Sequence, residues 1–152
     1  MPAQKKTKAS GAAGSAAGSR PPARTARRPK LVREVMSADL LMIEAHDHVS
    51  TAAAVMEAGR VGSALVMDHD TLVGIFTERD VLHALRRSPT AALASPVTKW
   101  MTKDPMTIPP SETIRGALRR MLKGGFRHLP VTDGGHVVGV VSLRDLARAL
   151  AG

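Results

Sequence analysis

The chain contains a second copy of itself. Setting Val32 on Val97 aligns Val32–Leu85 with Val97–Leu150 without a gap, and 15 of the 54 pairs are identical. The identities run the whole length, from Met36/Met101, Asp39/Asp104 and Ile43/Ile108 through Ala52/Ala117, Met56/Met121 and Gly59/Gly124. They continue through Val66/Val131, Asp68/Asp133, Gly74/Gly139, Arg79/Arg144 and Asp80/Asp145. Self-similarity at a fixed interval means one supersecondary unit used repeatedly, so whatever fold one copy adopts the other must share. A unit of this size buries too little apolar surface to be secure alone. The two copies are therefore expected to pack on each other, leaving a cleft where they meet.

Each copy predicts the order β-α-β-β-α. A short extended piece ends at Ile43 or Ile108, and a helix follows with apolar residues at helical spacing: Val49, Ala52, Ala53 and Met56, or Ile114, Ala117, Leu118 and Met121. Gly59 and Gly124 stand where a glycine helix stop belongs, and Ser111 and Asp47 are candidate N-caps. Two strands follow, Ala64–Met67 with Leu72–Phe76 and Leu129–Thr132 with Val137–Val141, separated by the turn formers "DHD" and "DGG". A last helix opens after Thr77 or Ser142. The fold class expected is α/β (α+β-like), two pseudo-symmetric repeats packed as a pair behind a disordered basic tail. The expected divisions are 1–30 tail, 31–86 first repeat, 87–96 linker and 97–152 second repeat.

The charge lies mostly in the tail. Residues 1–30 hold eight of the 22 basic side chains and none of the 13 acids, so the rest of the chain is nearly neutral. That segment has no large apolar residue after Met1 and cannot offset its ordering entropy by burial. The absence of cysteine excludes disulfides, thiolate metal sites and cysteine nucleophiles, and fits a reducing compartment. No apolar run approaches a membrane span or a secretory signal, so the expected location is the cytoplasm.

The hairpins end in "GIFTERD" and "GVVSLRD". A hydroxyl followed three residues later by a carboxylate satisfies the free N–H groups of a helix start, which is reason enough for Thr77/Asp80 and Ser142/Asp145. The openings "VREVM" and "VTKWM", the hairpins "HDTLVGIFTERD" and "DGGHVVGVVSLRD", and "FRHLPV" ahead of the second hairpin carry a further message. In this order, and duplicated, they resemble a tandem pair of CBS domains, the cystathionine-beta-synthase-type repeat of Bateman modules, over about residues 31–150. The resemblance implies a regulatory binding module and no enzyme. It also implies adenine ligands (AMP, ADP, ATP or S-adenosylmethionine) in clefts between the repeats, a homodimer, and a protein partner that reads the signal.

On that reading Thr77 and Ser142 donate to a phosphate at a helix N-terminus, where the dipole favours anions. Asp80 and Asp145 accept from a ribose diol, and Arg79 and Arg144 neutralise phosphate. The resemblance puts Arg127, His128, Leu129 and Pro130 on the wall of the nucleotide pocket, where the first copy has Gly62, Ser63 and Ala64. The Asp145 site is accordingly expected to be the better phosphate binder. The adenine edge is expected to meet main-chain groups near Ile43 and Ile108. His46 and His48 form an H-x-H with no third metal ligand and read as a surface pair, and Trp100 reads as packing. The alternative function is a nucleic-acid-associated protein that binds through the basic residues 1–30, with the repeats as a dimerising scaffold. A shift assay with and without that segment separates the two.

Overall fold

The computed structural model describes residues 27–152, together with Ala3, Gly11, Gly14 and Gly18. The first copy contains β1 (Met42–Glu44), α1 (Val49–Gly59), β2 (Ser63–Asp68), β3 (Thr71–Thr77) and α2 (Glu78–Arg87). The second contains β4 (Thr102–Lys103), α3 (Ile114–Gly124), β5 (His128–Asp133), β6 (His136–Ser142) and α4 (Leu143–Ala151). Most of the segment predicted as a disordered tail lies outside the described residues. Its last residues are tied down: Lys30 donates from Nζ to the Ala149 carbonyl at 3.0 Å, a cation placed at the C-terminal end of α4. The Lys30 carbonyl accepts from the Ile114 N–H at 3.0 Å.

The apolar positions of the repeat become two congruent cores. One gathers Ile43, Val49, Ala52, Met56, Ala64, Val66 and Phe76 of the first copy, and the other gathers the aligned Ile108, Ile114, Ala117, Met121, Leu129, Val131 and Val141. The residues that complete them are exchanged. Val97, from the opening of the second copy, is buried in the first core, and Val32, from the opening of the first, in the second. Each is fully buried, worth about 1.5–3 kcal/mol that is lost if the copies separate.

The exchange extends to the sheets. β4 pairs antiparallel with β3 of the first copy, Thr102 opposite Ile75 and Lys103 opposite Gly74. Ser37 reciprocates on β6 through two hydrogen bonds with Val140. The crossing is close enough to require glycine. A Cβ on Gly74 would collide with the Met101 sulfur and lie 3.0 Å from the Thr102 carbonyl; one on Gly139 would lie 2.6 Å from the Met36 sulfur and 3.0 Å from the Ser37 carbonyl.

The first sheet runs β1-β2-β3-β4, with β1 parallel to β2 and the remaining pairs antiparallel. In the second copy the strand equivalent to β1 shrinks to one parallel bridge between Ile108 and Val131. Proline is the reason. Ala45 N–H bonds to Met67 O and Leu65 N–H to Leu41 O, but the aligned donors are Pro110 and Pro130, which have no N–H.

The caps depart from expectation. The N-cap of α3 is Thr113, whose Oγ1 accepts from Gly116 N–H at 3.0 Å, and not Ser111. His48 holds the N-cap position of α1 without a side-chain bond, while Asp47 accepts from Glu44 N–H in the preceding turn. Gly59 and Gly124 are the last helical residues. The left-handed stop falls one residue later, on Arg60 (φ 52°) and Gly125 (φ 72°). The 87–96 segment is packed rather than loose, with a helical turn over Ala92–Ala94 and Ala92 fully buried. Trp100 is a packing residue, set edge-on to His83 and donating from Nε1 to Ser95 Oγ at 2.8 Å.

Candidate functional site

Both hydroxyl–carboxylate pairs cap their helices. Thr77 donates from its N–H and its hydroxyl to Asp80 Oδ2, at 2.9 and 3.2 Å. Ser142 does the same to Asp145 Oδ2, at 2.9 and 2.7 Å, and Asp145 N–H donates back to the Ser142 hydroxyl at 3.1 Å. Asp80 Oδ1 and Asp145 Oδ1 accept nothing from the described residues, so each cap leaves one carboxylate oxygen for another donor. Capping and ligand binding are compatible in one motif.

The surroundings of the two pairs differ. Thr77, Arg79 and Asp80 line a cavity of about 420 Å³, within the usual ~300–1,000 Å³ of small-molecule sites. Its far wall is Arg127, His128 and Leu129, supplied by the second copy. The sequence associates those residues with Asp145, their neighbour across the β5–β6 hairpin. His128 is indeed opposite Ser142 in that ladder, and the Arg127 carbonyl accepts from Leu143 N–H. Even so, residues 127–129 also wall the cavity that starts at the other hairpin. Ser142, Arg144 and Asp145 lie outside that wall, as do Ser63, Pro130, Ile43 and Ile108.

Ile108 is not a free main-chain receptor. Its N–H donates to Pro130 O and its carbonyl accepts from Thr132 N–H, at 3.1 and 3.0 Å. Ile43 is likewise a buried mid-strand residue, paired with Val66. The chain that lines the cavity in this region is Asp104–Met106, immediately after β4. Sequence reasoning missed it, although the identity Asp39/Asp104 was the available signal. Asp104 adopts a left-handed backbone (φ 46°), held by a 3.1 Å bond from its N–H to Val73 O.

Burial sets the electrostatics. The half-buried Asp80 carboxyl is pushed above its ordinary value by loss of water, opposed by the two Thr77 hydrogen bonds and by His83 and Arg79. Burial holds the His128 imidazole below its ordinary value, against the pull of Asp145 and Glu78 and with Arg127 adding to the depression. The result is a cavity lined by a hydroxyl, two carboxylates and an arginine at the start of α2, together with Asp104 and a second arginine, Arg127. These groups suit recognition of a polar ligand that offers both donors and anionic oxygens.

A second opening, of about 830 Å³, sits on the pseudo-two-fold axis. Much of its wall is symmetric in the repeat, with Met42 and Thr107, Met67 and Thr132, and Leu72 and Val137 among the aligned pairs, while His69, Asp104 and Pro105 line it without their mates. Asp104 and Pro105 line both openings and form the partition between them. Among the described residues no helix is long and apolar enough to cross a membrane.

Known proteins share this architecture. An uncharacterised 17.7 kDa protein of Acidianus ambivalens is 37% identical over 78% of this chain and 72% of its own length. Two further curated relatives are longer, and the chain spans 42% and 22% of their lengths. The CBS-domain protein ATU1752 of Agrobacterium tumefaciens superposes with a TM-score of 0.77 at 28% identity, over 80% of this chain and 99% of that one. The CBS domain pair of protein MJ0100, solved with 5′-methylthioadenosine and S-adenosyl-L-methionine, gives a TM-score of 0.75 at 25% identity over 82% of this chain and 98% of its own. The CBS domain model matches twice, at residues 32–87 and 97–152, and the chain therefore belongs to the CBS domain family as a tandem pair.

Proposed function

We propose that this CBS pair is a regulatory module that binds an adenosyl ligand in the cavity between Thr77–Asp80 and Arg127–Leu129. The observation that carries the reading is the convergence of the capped carboxylate of one copy with the basic residues of the other around a single 420 Å³ space. Asp80, through its unengaged Oδ1, takes the ribose diol, while Thr77 and Arg127 face the 5′ substituent. The Asp104–Met106 main chain is the surface offered to the base, in place of Ile108. Support from a relative comes from the MJ0100 pair, which was solved with adenosyl compounds. On this reading the stronger site is on the Asp80 side, because Arg127 lines that cavity and Asp145 does not.

Signal transmission follows from the exchange. The residues that line the cavity at 104–106 continue directly from β4, which is hydrogen-bonded to the first copy, and from Val97, which is buried in it. A ligand that prefers one placement of this segment shifts the balance between arrangements of the two copies, and a ligand indifferent to it shifts nothing. Calorimetric titration of the full chain with 5′-methylthioadenosine, S-adenosylmethionine, AMP and ATP tests the reading. Saturable binding of at least one of them is expected, and failure of all four to bind contradicts it.

A further inference from the structure

We propose that Asp104 sets the charge selectivity of this cavity, which admits adenosyl ligands bearing no more than one phosphate and turns triphosphates away. The inference rests on the adenosyl reading above and narrows its ligand class. Three carboxylates line the cavity, Glu78, Asp80 and Asp104, against two guanidinium groups, Arg79 and Arg127. The excess is one negative charge, and the neutral ligand 5′-methylthioadenosine adds nothing to it, whereas a triphosphate adds several.

One of the three carboxylates is particular to this side of the pair, and a second differs from its aligned twin in backbone conformation. Leu143 stands where Glu78 does in the repeat, so the other helix start carries one acid fewer. Asp39 aligns with Asp104, yet only Asp104 among the two has positive φ. Aspartate tolerates the left-handed region better than most residues with a Cβ, so the conformation is available to both twins and the local surroundings decide which adopts it. Here the Val73 hydrogen bond and the β3–β4 pairing hold it, and the residue becomes the partition between the cavity and the axial opening. Asp104 is exposed, so its field is screened by salt and is felt most at low ionic strength.

The test is titration of the full chain and of Asp104→Asn with 5′-methylthioadenosine, AMP and ATP at low salt. Asparagine also tolerates the left-handed region, so the partition is retained while the charge is removed. ATP is expected to bind the unmodified chain about tenfold or more weaker than AMP, and Asp104→Asn to tighten ATP by about threefold or more without moving 5′-methylthioadenosine. ATP binding as tightly as AMP to the unmodified chain overturns the inference and leaves the adenosyl reading standing, as does a variant that shifts all three ligands alike. Absence of binding by all three, in both proteins, overturns this inference, and overturns the adenosyl reading as well if S-adenosylmethionine also fails to bind.

Discussion

Burial pushes the Asp80 carboxyl and the His128 imidazole toward their neutral forms, and the two have opposite consequences with pH. For Asp80 the raised value means that its stabilising contribution is present at low pH and is lost as pH rises through the folded value. Once ionised, Asp80 has only the Thr77 donors among the described residues, and a ligand diol would supply more. For His128 the lowered value means that its contribution is fully present above the ordinary 6.5 and is lost as pH falls toward the folded value. Urea unfolding is expected to show a loss of stability between about pH 7.5 and pH 5.5 that is smaller in His128→Gln, the glutamine having no charge to gain. Equal losses in the two proteins would show that the imidazole is solvated.

The glycine of "GIFTERD" and "GVVSLRD" belongs to the scale of elements. It serves neither the turn nor the cap, but the strand-on-strand crossing by which each copy lends its opening segment to the other. Gly74→Ala and Gly139→Ala are each expected to cost about 1–3 kcal/mol in chemical denaturation, because backbone as well as a methionine stands in the way. Gly74→Ala should also weaken ligand binding, since the displaced Met101–Thr102 leads into the cavity wall; Gly139→Ala should leave binding nearly unchanged. Equal effects of the two on binding would contradict the coupling of β4 to the site. The helices and hairpins were legible from periodicity and turn residues, because those are local properties. The exchange was not, since Val32 and Val97 are equally apolar whichever core receives them. Cap positions slipped by one or two residues where a second capping residue lay nearby, as with Ser111 and Thr113.

For the molecule as a whole, the repeat marked which residues recur as a capping motif but not which motif faces which wall. Arg127 and His128 are hairpin neighbours of Ser142 in sequence, and they reach the cavity at Thr77 only because the copies pack about a pseudo-two-fold axis. Asp104 was equally hidden, since its role depends on a backbone conformation that its aligned twin Asp39 does not adopt. Asp80 and Asp145 make similar capping bonds in inequivalent surroundings, and replacing either removes bonds worth about 1 kcal/mol. The decisive measurement is therefore the affinity of 5′-methylthioadenosine for Asp80→Ala against Asp145→Ala. The account predicts a loss of about tenfold or more for Asp80→Ala, the scale of a hydrogen bond to a charged group, with little change for Asp145→Ala. The reverse order, or equal affinity in both variants, would contradict it.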